Sequence, residues 1–159
     1  MLKNFNLKLM ISVIVVVFVV LTSFFYVFYA TYIVKDVQVF PSDVYIIEGK
    51  NAGFNLDPDK IHFGKVSKDF GSANRYINLN NSWDYGVDTY VTVWGELAEH
   101  EVVLEYDVGN ETVKSKSVYL EPYESKDVKL YLIPSKDSEI GKFYDGTIKF
   151  TIKRHKLFG

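Results

Sequence analysis

The chain contains no cysteine, which excludes disulfides, thiolate catalysis and cysteine-bound zinc. Histidine is scarce, with three in 159 residues. The single His-Glu pair, His100-Glu101, is followed by Val103 and Leu104, so the His-Glu-x-x-His arrangement of zinc proteases is not formed. There is no internal repeat, no low-complexity tract and, beyond the N-terminal segment, no amphipathic helical period. The first 34 residues hold two lysines and no acid, leaving 16 basic and 20 acidic residues in the remainder, a net charge of −4. Such a mildly acidic surface has no broad basic field to attract nucleic acid.

What is present begins with an uninterrupted apolar run, Leu9 to Val34, with no charged residue in its 26 positions and 17 Leu, Ile, Val or Phe. At roughly −0.3 to −0.6 kcal/mol each near a bilayer centre, these residues favour insertion by about 5–10 kcal/mol. At about 1.5 Å per residue the run reaches about 39 Å, against a hydrocarbon core of about 30 Å. The excess predicts tilt, or a C-terminal end in the headgroup region. Phe24, Phe25, Tyr26, Phe28, Tyr29 and Tyr32 crowd that end and suit a membrane–water boundary. A cleaved signal peptide has a core of about 7–15 residues and a small-x-small site, whereas Phe28 stands two residues before Ala30. The run therefore reads as a retained transmembrane helix over 9–34. Lys3 and Lys8 precede it without an acid, while Lys35 is followed by Asp36, Asp43 and Glu48. The positive-inside rule predicts a cytoplasmic tail over 1–8 and residues 35–159 outside the cell membrane.

Beyond the run the hydrophobic period is two. Ile148, Phe150 and Ile152 alternate with Thr147, Lys149, Thr151 and Lys153, and Val128, Leu130 and Leu132 with Asp127, Lys129 and Tyr131. Val102, Leu104 and Tyr106 share a face opposite Val103 and Glu105. Val87 to Trp94, Ile77 with Leu79, Val118 with Leu120, Ile61 with Phe63, and Val44 with Ile46 complete seven or eight short strands. Turn formers separate them, among them Asn80-Asn81-Ser82, Gly109-Asn110, Glu121-Pro122 and Gly141. About 125 residues suffice for one core without staples. The pattern predicts an all-β fold, an antiparallel β-sandwich over 44–153 preceded by the N-terminal transmembrane helix. Residues 35–43 read as a linker or an extra edge strand, with Pro41 barring a continuing helix, and 154–159 as a basic tail.

The punctuation resembles that of a known family. Leu56-x-Pro58, Ile61-x-Phe63-Gly64-x-Val66 and Ile77-x-Leu79-x-Asn81 look like the first half of Hydin-like and major-sperm-protein-like immunoglobulin sandwiches. Leu120-x-Pro122-x-Glu124-Ser125-x-x-Val128, Pro134 and Gly141-x-Phe143-x-x-Gly146-x-Ile148 resemble the second half, over roughly 56–152. The final glycine motif is one residue longer than the family's Gly-x-Tyr-x-Gly. The resemblance implies an immunoglobulin-like sandwich that serves as a scaffolding or protein-binding module rather than an enzyme.

The remaining polar clusters read mostly as solvated surface. Glu96, Glu99, His100 and Glu101 are expected on a solvated loop or strand end, and His62, between Ile61 and Phe63, as exposed. Asp57 with Asp59, and Asp107 with Asn110 and Glu111, carry oxygen ligands on turns but lack the six to eight of a calcium loop. Close carboxylate pairs are inevitable among 20 acids, so they do not argue for glycosidase chemistry. Ser82-Trp83-Asp84-Tyr85-Gly86 places two large rings beside turn residues. Trp83 and Tyr85 are candidate binding residues for protein or glycan, with a Trp83 plug closing the sandwich end as the other reading. Asn80-Asn81-Ser82 and Asn110-Glu111-Thr112 match the glycosylation acceptor pattern at Asn80 and Asn110. The tail Lys153-Arg154-His155-Lys156 reads as a solvated end, with anionic headgroups within reach if it folds back to the bilayer.

The sequence thus predicts a single-pass, membrane-anchored, non-enzymatic interaction module of the cell envelope, with no metal and no cofactor. Its expected partners are the lipid bilayer and another membrane or envelope protein. The alternatives are a pilin-like filament subunit, although Lys8-Leu9-Met10 lacks the small residue of a processing site, and an accessory subunit of an envelope enzyme.

Overall fold

The computed structural model describes residues 7–48, 60–69 and 71–155. The Leu56-x-Pro58 element, the turn with Asp57 and Asp59, and the tail beyond His155 lie outside the described residues. The fold is all-β with one N-terminal helix.

Helix α1 spans Leu7–Phe28. From Leu9 to Ile33 the segment is long and apolar enough to cross a membrane, and none of it is buried by the rest of the chain. A helix that is apolar all round and unpacked has no partner in water. Two of its hydroxyls are satisfied within the helix: Thr22 donates to the Phe18 and Val19 carbonyls and Ser23 to the Val19 carbonyl, which removes the cost of a bare polar group at those positions in an apolar setting. One π-helical turn, Tyr29–Ile33, follows, and the strand β1, Val34–Ile47, starts at once. Val34, expected as the last helical residue, is instead the first residue of β1, because it pairs across to Lys153. Residues 35–43 likewise belong to β1.

Among the described residues eight further strands follow: β2 (Ile61–Ser67), β3 (Ala73–Asn80), β4 (Val87–Gly95), β5 (Glu101–Val108), β6 (Glu111–Ser115), β7 (Ser117–Leu120), β8 (Ser125–Ile133) and β9 (Phe143–Arg154). They form a five-stranded sheet ordered β2-β1-β9-β4-β7 and a four-stranded sheet ordered β3-β8-β5-β6. All pairings are antiparallel except β1 with β2. The period-two pattern missed β6, where Val113 is the lone large apolar residue. The segment Glu111–Leu120 switches sheets at Lys116, whose carbonyl accepts from the Val91 N–H.

The inward rows of both sheets meet in one core, including Val44, Ile46, Phe63, Val91, Leu104, Val128, Leu130, Leu132, Ile148 and Phe150. Val87, Leu120 and Ile152 make a smaller cluster at the end next to α1, with Leu79, Trp83 and Tyr85 packed against it. Two glycines have specific jobs. Gly64, at φ 74°, sits where the β1–β2 register slips by one residue, a bulge only a residue without Cβ adopts cheaply. Gly146 faces Gly95 across β4–β9, and a Cβ there would lie 2.3 Å from the Trp94 carbonyl oxygen and 2.6 Å from Leu97 Cβ. That close approach lets the 3-10 turn Glu96–Glu99 drive Leu97 into the core.

Two histidine expectations are corrected. The His62 ring is only 11% exposed, and its Nδ1 lies 2.7 Å from Asp43 Oδ1. The parallel pairing of β2 with β1 sets these residues side by side, a neighbour that periodicity within β2 cannot reveal. His100, expected on solvated surface, is buried. The 3-10 turn folds it inward, where Nδ1 accepts the Ser135 N–H at 3.1 Å and the ring meets Tyr144 edge-on at 4.4 Å. Its acidic neighbours stay outside, Glu96 reaching Lys142 at 3.5 Å.

Burial pushes the His100 imidazole below its ordinary range, partly opposed by Glu99. A histidine whose folded pKa is depressed lends stability above its unfolded value, lost as pH falls through about 6.5 toward the folded value. Thermal melts are therefore expected to fall between pH 7 and pH 5 (about 1.4 kcal/mol per proton per pH unit at most), with a shallower fall in His100→Gln. Parallel slopes in the two proteins would show that His100 is not the titrating group.

Candidate functional site

The sandwich is closed along β7 and β6, where one segment passes between the sheets, and open along β1 and β3. β2 pairs with β1 only from Ser42 onward. Among the described residues no strand covers the outer edge of β1 from Val34 to Pro41. Along this open side runs a groove with two chambers of about 370 Å³ and about 330 Å³ that share Gln38, Asn78, Leu79 and Phe150. Leu120, Ile152 and Trp83 extend the apolar wall of the first chamber, and Phe40, Ile61 and Ile77 that of the second. Asp36, Asn80 and Ser82 line the first chamber and Lys60 the second. The Thr89 hydroxyl is fully buried in the wall of the first chamber and has no hydrogen-bond partner among the described residues. Binding sites usually combine apolar walls with a few placed polar groups; here the first chamber is the more polar, with Asp36, Gln38, Asn78, Asn80, Ser82 and Thr89 in its lining, and the second the more apolar.

The edge above this groove is guarded against strand addition. Hydrogen bonds from Ile46 N–H to Lys142 and from Gly141 N–H to Ile46 show that even-numbered residues of β1 turn toward β9, so Val37, Val39 and Pro41 turn to the open edge. Asp36 accepts from the Val37 N–H at 2.8 Å and from the Gln38 amide at 3.0 Å. Pro41 has no N–H, and the register slips between Val34 and Asp36. Capped, proline-bearing and bulged edges resist pairing with a foreign strand. The groove therefore admits side chains more readily than a whole added strand.

The two aromatic candidates occupy different places. Trp83 is half-buried, packs on the Val87–Leu120–Ile152 cluster and walls the first chamber. Tyr85 stacks beside it with centroids 6.2 Å apart, and its ring lies under Arg154 at 4.3 Å and Lys35 at 5.9 Å. Lys35 thus does not turn to Asp36; its ammonium donates to the Thr31 carbonyl. The loop is held by Asn81. Its amide donates to the Tyr85 and Glu121 carbonyls at 2.8 Å and 2.7 Å, and its Oδ1 accepts the Trp83 N–H. Among the described non-glycine residues Tyr123 alone is in the left-handed conformation, at φ 59°.

Replacing Trp83 by alanine is expected to lower the free energy of unfolding by about 2 kcal/mol, below the cost of a fully buried aromatic, whereas Tyr85→Ala costs less because, of the two rings packed on the Val87–Leu120–Ile152 cluster, it is the smaller. Urea titration of both single variants checks the order, and equal losses would contradict it.

Asn80 and Asn110 both expose their side chains, the first at the end of β3 and the second on the β5–β6 turn. On that turn Asp107 is engaged by the Thr112 hydroxyl at 2.8 Å. Among the described residues no three His, Asp or Glu side chains converge in a way that holds a metal ion. Sequence reasoning found Trp83 but missed Gln38, Phe40, Asn78 and Thr89, because the groove is assembled from six strands, most of them distant in sequence. Comparison with family models, with curated proteins and with solved structures returned no match.

Proposed function

We propose that this chain is a single-pass membrane protein, N-terminus cytoplasmic, whose sandwich is a non-enzymatic module that receives apolar side chains from an extended segment of a neighbouring envelope protein. The observation that carries this reading is the open groove between β1 and β3, with apolar side chains in its floor and a buried Thr89 hydroxyl that has no hydrogen-bond partner among the described residues. Trp83 supports it as the rigid end wall of the first chamber. Phe40, on the rim and edge-on to Phe150 at 5.9 Å, is suited to close over an inserted side chain. Large aromatic anchors in concave sites dominate interface energies. The blunted β1 edge favours side-chain insertion over strand addition.

A photoreactive amino acid at Gln38, in the groove, is expected to crosslink one protein of defined mass in native membranes. The same probe at Val108, on the far β5–β6 turn, should not. Phe40→Ala is expected to weaken capture by about thirtyfold, the effect of about 2 kcal/mol at a hot spot. No adduct at Gln38, or equal labelling from Val108, would overturn the reading.

A further inference from the structure

We infer that the cleft between the end of α1 and the outer face of the five-stranded sheet is a binding site for the phosphate of an anionic phospholipid. The inference rests on the membrane-anchor reading above. Chain geometry comes first. The π-helical turn ends at Ile33 and β1 begins at Val34, so no linker separates the sheet from the helix that would carry it to the membrane surface. The cleft, about 490 Å³, takes Tyr26 and Tyr29 from the helix and Tyr90, Trp94, Lys149 and Lys153 from the sheet. A lipid whose acyl chains lie along α1 carries its headgroup to the level of those tyrosines, and therefore into the cleft.

The chemistry of the walls matches that occupant. Among the described residues Lys149 and Lys153 line the cleft and no carboxylate does, although the region beyond residue 34 carries a net charge of −4. Neither lysine makes an ion pair among the described residues. Asp88 neighbours Lys153 in register, but its carboxylate is 2.8 Å from His155 Nδ1. The Lys153 ammonium is poised over the Tyr29 and Tyr90 rings at 5.5 Å and 5.0 Å, a position from which it can turn to an anion without breaking a salt bridge. Tyr26 and Trp94 are 73% and 62% exposed, and rings with an apolar body and a polar tip settle at the headgroup level. Basic side chains near an anionic surface each contribute a modest, salt-screened attraction.

The test uses the full chain in phosphatidylcholine nanodiscs doped with a headgroup-nitroxide lipid, anionic in one preparation and zwitterionic in the other. The signal is the tryptophan quenching that disappears in Trp94→Phe, which separates Trp94 from Trp83. The anionic probe is expected to be preferred about thirtyfold, roughly fivefold for each lysine. Lys149→Gln with Lys153→Gln should abolish the preference while the protein stays folded by circular dichroism. Millimolar inorganic phosphate should leave it unchanged. Equal quenching by both probes, a preference that survives the double variant, or displacement by phosphate would overturn the lipid site and leave the anchor intact. Failure of the chain to reconstitute into nanodiscs would overturn the anchor reading, and the lipid site with it.

Discussion

Phe150→Asp is expected to abolish the folded sandwich. Phe150 is 4% exposed, lies at the centre of β9 between β1 and β4 and contributes to the floor of both groove chambers. An aspartate there buries a carboxylate among core residues of which none that is described is a cation. The penalty, about 5 kcal/mol or more, is comparable to the whole stability of a typical domain, about 5–15 kcal/mol. Far-ultraviolet circular dichroism and a thermal melt of the variant should show loss of strand signal and no cooperative transition. Lys149→Asp, one residue earlier and on the outer face, should melt nearly as the parent does. A native-like, cooperative melt for Phe150→Asp would mean that the inward face of β9 is misassigned.

The second large effect is expected at Asn81. Its buried side chain ties the loop that carries Trp83 and Tyr85 to the turn at Glu121 through hydrogen bonds at 2.7 Å, 2.8 Å and 3.0 Å. Alanine leaves two carbonyls and one N–H without partners where water has poor access. At about 1 kcal/mol or more for each such group, Asn81→Ala should cost about 3 kcal/mol. Asn80→Ala, exposed and one residue away, should cost under about 0.5 kcal/mol. Urea titrations of the two variants decide the matter, and similar midpoints would show that the Asn81 network is dispensable. The pair also separates glycosylation from structure, since the acceptor in Asn80-Asn81-Ser82 is the exposed residue and the strut is its neighbour.

Much of the fold was legible because its causes are local. Charge-free hydrophobicity over Leu9–Ile33 specifies an apolar helix, and alternation at Ile148-Phe150-Ile152 or Val128-Leu130-Leu132 specifies strands with one buried face. These features depend on residues next to one another along the chain. The misses share the opposite property. β6 has too little alternation to be seen alone and exists because β5 offers it an edge. His62 is covered because a parallel strand brings Asp43 beside it, and His100 is buried because Gly95 and Gly146 let a 3-10 turn sink between strands.

The groove between β1 and β3 is the clearest case. Gln38, Asn78, Thr89 and Phe150 come from four strands, and no spacing in the sequence marks them as neighbours. Trp83 was legible as a large ring in a loop, but whether it plugs the sandwich or walls a groove depends on where β3, β4 and β7 meet. Sequence alone determined the apolar helix, the all-β class and the inward residues of most strands, since hydrophobic period and chain chemistry decide these within a few residues. Tertiary structure alone decided the joining of helix to β1 without a linker, the open side of the sandwich and the acid-free cleft, because each arises from strand order and register, which are set by long-range pairing.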